Sequence, residues 1–362
     1  NLTGIDVRLP LHALSAITGV SGSGKTSVLT ALADAVRARL DSAEVAADEE
    51  RNPAAVEIGD ELVHGVPVWD LGSDELTTGS TSGLEALERI IVVDQKPIGR
   101  TSRSTPATYT GLFDGVRRLF AAQPGAKERG FGVGRFSFNQ PEGRCPVCLG
   151  DGVVSIELLF MPTETAPCPE CHGKRYNPET LEVTYRDRTI ADVLAMTVDE
   201  AADFLAEVPV ATTILTLLQN IGLGYVSLGQ SAPTLSGGEA QRIKLVSELH
   251  RSSRGRSLYI LDEPTTGLHP ADIDMLIGQL QRLVDAGNTV VIADHDLRTL
   301  RVVDWIVDLG PGAGTDGGTV VATGTPADLA AAAAAAAGST TTSAGAAAGL
   351  TASYLAAAGA SA

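Results

Sequence analysis

Gly19-Val20-Ser21-Gly22-Ser23-Gly24-Lys25-Thr26 constrains the chain on both of its sides. The apolar residues 14–18 lead into it, and an Ala-, Leu- and Arg-rich stretch from Ser27 to Leu40 follows. That order predicts a strand, a glycine-rich turn, and a helix opening on the turn. The string fits G-x-x-x-x-G-K-[ST], where glycines let backbone N–H groups close around phosphate oxygens at a helix N-terminus. Gly19, Ser21, Gly22, Ser23 and Gly24 then form the cradle. Lys25 supplies charge to β- and γ-phosphates, and Thr26 supplies a hydroxyl to Mg2+.

Four further motifs follow in a fixed order. Arg89 to Asp94 is a β-branched run, a buried strand ending at Gln95, which is placed to sense Mg2+ and the γ-phosphate. Leu235-Ser236-Gly237-Gly238-Glu239 starts a helix whose Ser236 and Gly237/Gly238 amides can hold a γ-phosphate. Leu258 to Asp262 is an apolar strand ending in two carboxylates, Asp262 for the Mg2+ shell and Glu263 to polarise an attacking water. His295 follows the strand 289–293 as a γ-phosphate contact. Together these are the motifs of an α/β P-loop ATPase of ABC type, with ATP and Mg2+ as cofactors and Lys25, Glu263 and His295 as its catalytic candidates. In that class the signature holds the phosphate of the opposite nucleotide-binding unit. One loop and one signature therefore call for a second ATPase half or a homodimer.

The four cysteines all lie between Gln95 and the signature, spaced C-x2-C-x19-C-x2-C. Cys145, Cys148, Cys168 and Cys171 read as two knuckles around one tetrahedral Zn2+, a closed structural site. Such a site is worth on the order of 10 kcal/mol in small modules, so the metal would fold this one. The competing reading of the pairs is redox. His172 is either a substitute ligand or a neighbour of the site.

A formal charge of −17 excludes a surface that attracts nucleic acid everywhere. Any DNA contact must come from local basic clusters: Arg100 and Arg103, Arg117 and Arg118, Arg135 beside Phe131, Phe136 and Phe138, and Lys174-Arg175. No apolar run approaches the roughly 20 residues of a membrane span, and there is no signal peptide, so a cytoplasmic protein is expected. The absent initial Met and the early phosphate loop predict a fragment of something longer. The expected division is 1–94 and 225–329 for the ATP-binding core, 95–224 for an inserted zinc-binding signature domain, and 330–362 for an Ala/Gly/Ser/Thr tail, helical by propensity over Ala330–Ala337 and otherwise disordered. Further expectations are strands at 5–9 and 181–185 and an acidic connection over 41–83, with a short strand near Val66–Trp69. Helices are expected over 197–205, 211–221, 239–250 and 271–286, the first in capping-box form.

More specific strings sit between the motifs. They include Asp94-Gln95-Lys96-Pro97-Ile98-Gly99-Arg100-Thr101, Pro106-Ala107-Thr108-Tyr109-Thr110-Gly111 and Gly134-Arg135-Phe136-Ser137-Phe138-Asn139. Gly173 to Leu181 and Ser236 to His269 belong with them. Over roughly residues 1–328 the chain closely resembles the C-terminal ATPase half of the bacterial nucleotide-excision-repair family UvrA. The resemblance implies a dimeric ATPase that scans double-stranded DNA for distorting lesions and reads deformability more than base edges. It implies a zinc module acting as a lever, and loading of a partner, UvrB, within an excision nuclease system whose cutting lies elsewhere. Thr26-Ser27 replaces the family's Ser-Thr, and Ala293-Asp294-His295-Asp296 stands where Glu-His-Asn is usual. The acidic 41–83 segment is longer than the family's. The first ATPase half, with its UvrB-docking region, is absent from this chain. UvrA-like self-resistance to DNA-binding drugs stays open. A transporter ATPase subunit predicts no cysteine module, and a nucleotide-gated scaffold sits poorly with intact Lys25, Asp262 and Glu263.

Overall fold

The computed structural model describes residue 2 and residues 4–51, 79–156, 164–250, 255–313, 317–337 and 350–359. The strand expected near residues 66–69 lies outside them. The strands are β1 (Leu14–Gly19), β2 (Arg89–Val93), β3 (Val153–Ile156), β4 (Glu164–Pro167), β5 (Thr184–Tyr185), β6 (Arg188–Thr189), β7 (Ser257–Asp262), β8 (Thr289–Ala293), β9 (Trp305–Gly310) and β10 (Thr319–Gly324). The helices begin with α1 (Lys25–Arg51), α2 (Pro106–Tyr109), α3 (Leu112–Ala121), α4 (Pro124–Glu128), α5 (Pro178–Leu181), α6 (Ile190–Ala195) and α7 (Val198–Phe204). They continue with α8 (Pro209–Gln219), α9 (Gly237–His250), α10 (Pro270–Asp285), α11 (Leu297–Val302), α12 (Pro326–Ala337) and α13 (Leu350–Gly359). The chain divides into two compact units: Asn1–Val92 with Arg254–Asp262 and Val284–Ala362, and Val93–Ser253 with Glu263–Leu283.

The first unit is built on a six-stranded sheet of order β10-β9-β1-β8-β7-β2. β1 pairs in parallel with β8 and β9, β7 in parallel with β8, and β10 closes the edge antiparallel to β9. β1, β7, β8 and β9 are buried along nearly their whole length. That is why they read as continuous apolar runs without alternation. Ile17, Leu258, Ile260, Val291 and Val307 meet Val28, Leu29 and Val36 of α1 in one core. Among the described residues the expected strand at 5–9 joins no ladder. Its alternation is real, because Ile5, Val7 and Leu9 pack on that core, but no described strand takes up its backbone groups.

The alanine run is helical, as its propensity suggests: it lies in α12, which is capped by Thr325, whose hydroxyl and N–H both bond Asp328. The end of the tail departs from expectation. Residues 350–359, expected to be disordered, form α13, with Ala352 and Leu355 buried and the Thr351 hydroxyl donating to Asp308 Oδ1 at 3.0 Å. Two apolar contacts and one buried hydrogen bond offset the low apolar content that predicted disorder.

The second unit is helical around an aromatic core. Phe113, Phe120, Phe136, Phe138 and Tyr176 are buried together, with Phe113–Phe138 centroids 5.3 Å apart and Phe120–Phe136 5.9 Å. α7 has the expected capping box: Glu200 N–H donates to Thr197 Oγ1 and Thr197 N–H to Glu200 Oε2. The strand expected at 181–185 is shorter. Asn177 caps α5 up to Leu181, leaving Thr184–Tyr185 to pair with Arg188–Thr189. The turn between them holds Arg186 and Asp187 at φ 48° and 61°, the two left-handed residues of a tight hairpin. The signature helix α9 and the helix α10 belong to this unit, so it reaches beyond the 95–224 span expected for the insertion.

Candidate nucleotide and metal sites

In the first unit, register aligns the motif residues. Ile17 and Asp262 both stand opposite Ala293, so the phosphate loop, Asp262 and His295 all emerge at the C-terminal edge of the parallel strands. Ligands of open α/β sheets bind at that edge. A hydrogen bond of 3.0 Å from Thr26 Oγ1 to Asp262 Oδ2 joins two motifs 236 residues apart. Those two oxygens are the pair that would share an Mg2+ shell. Lys25, only 8% exposed, donates to the carbonyls of Gly19 at 3.0 Å and Val20 at 3.1 Å. These bonds fold the ammonium back along the loop it serves.

Gly19 has φ 141°, and a Cβ there would stand 2.2 Å from the Leu309 carbonyl oxygen. Only glycine lets β1 turn into the loop beside β9. His295 is exposed at the end of β8. Before it, Asp294 is fully buried and accepts from the N–H groups of His295 at 2.7 Å and Asp296 at 3.0 Å. The carboxylate thus sets the turn that presents the imidazole.

In the second unit, Ser236 and Glu239 form a capping box on α9. Ser236 N–H donates to Glu239 Oε2 at 2.8 Å, and Glu239 N–H to Ser236 Oγ at 3.3 Å. Tyr225 OH donates to Glu239 Oε1 at 2.7 Å. Burial works against the Glu239 charge, but hydrogen bonds from Tyr225 and Ser236 outweigh it and hold the carboxyl below its ordinary range. Gly237 and Gly238 occupy the first turn of α9, where amide donors and helix dipole favour an anion. Glu263 sits at φ 46°, an uncommon backbone state for a side chain of its size. The Thr266 hydroxyl contacts its Oε2 at 3.4 Å.

The cysteines converge as well. Their four sulfurs lie within 4.8 Å of one another and all four residues are buried. Cys145 and Cys168 sulfurs are 3.9 Å apart and Cys148 and Cys171 sulfurs 3.6 Å. A tetrahedron of thiolates at Zn–S distances of about 2.3 Å has edges of about 3.8 Å, so the set fits zinc. The β3–β4 hairpin pairs Val153 with Pro167 and thereby brings the two knuckles together.

The knuckles share one backbone plan. Leu149 and Gly150 after one pair, and His172 and Gly173 after the other, all have positive φ. Cys145 N–H donates to Arg175 O, and Cys168 N–H to Gly152 O, both at 2.9 Å. Each knuckle therefore opens by bonding the residue four places past the other. Burial pushes the Cys171 thiol up to about 12 and raises Cys148, while the Cys171 N–H is first among the groups holding Cys168 down to about 7. A bound dication inverts this balance by favouring all four thiolates.

No family profile matches the chain. It is 49% identical over 333 residues to UvrABC system protein A of Staphylococcus aureus (strain COL), covering 91% of this chain and 32% of that protein. It is 50% identical over 331 residues to UvrABC system protein A of Thermus thermophilus, again covering 91% of this chain and 32% of that protein. The crystal structure of UvrA2 from Deinococcus radiodurans matches with a TM-score of 0.79 at 51% identity, covering 99% of this chain and 38% of that one. The chain is a UvrA-like segment of ABC-ATPase fold. It spans about a third of the length of the relatives it matches.

The basic residues of this UvrA-like chain divide by environment. Arg100, Arg118 and Lys174 are exposed. Arg103 pairs with Asp151 at 3.2 Å, Arg117 with Asp114, and Arg135 with Glu179 at 2.5 Å while its guanidinium covers the Phe131 ring. Arg175, expected on a phosphate track, is instead buried. Its Nη1 donates to Ser102 O at 2.9 Å and Gly150 O at 3.3 Å, and its Nη2 to Gly229 O at 3.2 Å. It fixes the first knuckle to the segments on either side of it. Phe136 and Phe138 likewise belong to the aromatic core, which their spacing alone did not separate from a stacking surface. Tyr225 and Lys244 carry no sequence signal, because a lone polar residue on an element carries no pattern, and Asp294 stands out only as part of the departure Ala293-Asp294-His295-Asp296.

Proposed function

We propose that this chain binds ATP·Mg2+ through the Gly19–Thr26 loop and hydrolyses it as one half of a UvrA-type, DNA-binding repair ATPase. The hydrogen bond from Thr26 to Asp262 carries the nucleotide reading, since it assembles a metal-binding pair from two remote motifs. The loop amides of Ser21 to Gly24 and Lys25 would hold the phosphates, and Thr26 and Asp262 the Mg2+. Glu263 would orient the attacking water, with Gln95 and His295 contacting the γ-phosphate. Ser236, Gly237 and Gly238 would serve the nucleotide of a second ATPase unit, in a homodimer or with a missing half. Cys145, Cys148, Cys168 and Cys171 would hold one structural Zn2+.

The identity to UvrABC system protein A supports a cytoplasmic role in nucleotide excision repair, with damaged double-stranded DNA as the partner and no nuclease chemistry in this chain. Arg100, Arg118 and Lys174 are the exposed cations best placed for backbone phosphates, and Arg103, Arg117 and Arg135 could join them by exchanging partners. UvrB loading would need a docking region outside the chain. Residues 1–94 and 225–329 would contribute the nucleotide motifs apart from Gln95, and 95–224 would supply Gln95 and the zinc-bearing link to DNA.

The test is steady-state ATP hydrolysis by the wild type and Lys25→Ala, with and without duplex DNA. The reading expects turnover that duplex alters and that Lys25→Ala lowers by roughly a hundred-fold or more. Equal turnover in both proteins would remove the nucleotide assignment.

A further inference from the structure

One stripe of α9 meets the segment 93–96 three times in succession. A Cβ added at Gly237 would lie 3.2 Å from both Cβ and O of Gln95. One turn on, Gln241 Nε2 donates to Val93 O at 3.1 Å. Two turns on, the Lys244 ammonium reaches the Asp94 carboxylate, Asp94 O at 3.4 Å and Lys96 O at 2.7 Å. Positions 237, 241 and 244 are i, i+4 and i+7, a single helical face.

The ammonium has three N–H donors and meets three acceptors here. Two of those acceptors are the carbonyls on either side of Gln95, so the backbone of that residue is held from both flanks. The ion pair is largely enclosed, with side-chain exposures of 16% and 12%, and removing one partner would strand the other's charge. The chain crosses between its two units at Val92–Val93, so the held segment is the first stretch after that crossing.

We propose that Lys244 is a positioning residue that makes the Gln95 loop and the Ser236–Gly238 turn one rigid body. This rests on the ATPase reading above. On that reading Gln95 serves the nucleotide of its own ATPase half, while the signature turn serves that of the opposing half. Lys244 therefore couples the two nucleotide sites, and a shift of the Gln95 loop on γ-phosphate binding moves the signature turn with it. The coupling is a property of the lysine's charge and reach, which arginine shares in part and methionine lacks.

The test compares the full chain as wild type, Lys244→Met, Lys244→Arg and Asp94→Asn. Readouts are ATPase kcat and KM, the thermal midpoint, and amide exchange at residues 93–97 and 236–240 with and without ATPγS·Mg2+. The expected result for Lys244→Met is a kcat lowered roughly ten-fold or more with KM within about three-fold. Its nucleotide-induced protection should persist at 93–97 and vanish at 236–240. Asp94→Asn should act in the same direction, and Lys244→Arg should recover most of both signals.

A wild type that turns over ATP, beside a Lys244→Met protein with unchanged kcat and unchanged exchange at 236–240, overturns the coupling and leaves the ATPase reading standing. Loss of kcat, KM and thermal midpoint together, with no recovery by arginine, also overturns it by assigning the lysine to folding alone. A wild type without nucleotide-dependent protection or turnover overturns both readings.

Discussion

Glu263 shows how a single residue can be held against its own preference. At φ 46° it occupies a backbone state that disfavours any side chain, and such residues cost of order 1–3 kcal/mol. Glycine would take the same conformation freely. Glu263→Gly is therefore expected to raise thermal stability, by about 1 kcal/mol, while lowering ATP turnover by roughly a hundred-fold. Calorimetry and a phosphate-release assay would check the two halves, and a destabilised variant would contradict the strain argument. Gly19 carries the opposite prediction. Gly19→Ala would drive a methyl group into the Leu309 carbonyl, so a thermal midpoint lowered by the equivalent of roughly 2 kcal/mol or more is expected, with loss of nucleotide binding.

Residues of this kind were legible from the sequence where a pattern spelled them out. The phosphate loop, the Asp262-Glu263 pair and the cysteine spacing each name their chemistry through residue type and interval. Asp294 and Lys244 were not legible, because their roles depend on which backbone groups the fold brings within reach. Arg175 was misread for the same reason: basic residues flanking aromatics look alike on a surface track and in a core.

At the scale of elements, the cysteine module is the piece whose stability has an external lever. Two knuckles on one hairpin, with sulfurs 3.6 and 3.9 Å apart in cross pairs, predict one zinc per chain in reduced protein. Elemental analysis giving no metal would overturn that assignment. Zinc removal by a strong chelator, or Cys148→Ser, should loosen residues 143–183 and leave the parallel sheet intact. Amide exchange would localise the change, and uniform loss of protection across both units would contradict it.

Element types were mostly readable: the parallel strands announced themselves as buried runs, and Thr197 and Glu200 marked a helix start. The failures have physical causes. Residues 5–9 alternate as a strand does, yet alternation reports side-chain burial and says nothing about a hydrogen-bonding neighbour. Residues 350–359 looked too poor in apolar groups to order, and the contact that helps hold them, Thr351 to Asp308, is invisible at short range. Truncation after residue 349 should lower the thermal midpoint measurably, since it leaves the buried Asp308 carboxylate without that donor. An unchanged midpoint would mean that α13 adds nothing to the first unit.

For the whole molecule, the chain's path explains why the motifs lie so far apart in sequence. It leaves the sheet unit after β2, builds the helical and zinc-bearing unit, and returns for β7. Lys25, Asp262 and His295 end in one unit, while Gln95, the signature turn and Glu263 end in the other. The class of fold follows from motif order, and the UvrA likeness confirms it over 91% of the chain.

If this chain is one half of a DNA-binding repair ATPase, as proposed, ATP at the Gly19–Thr26 loop should govern its hold on damaged DNA. The most direct test is binding of Glu263→Gln, with ATP·Mg2+, to a short duplex with and without one bulky adduct. The account predicts tighter binding to the adducted duplex, dependent on ATP and lost in a Lys25→Ala background. Absence of binding to either duplex, with or without nucleotide, would contradict it.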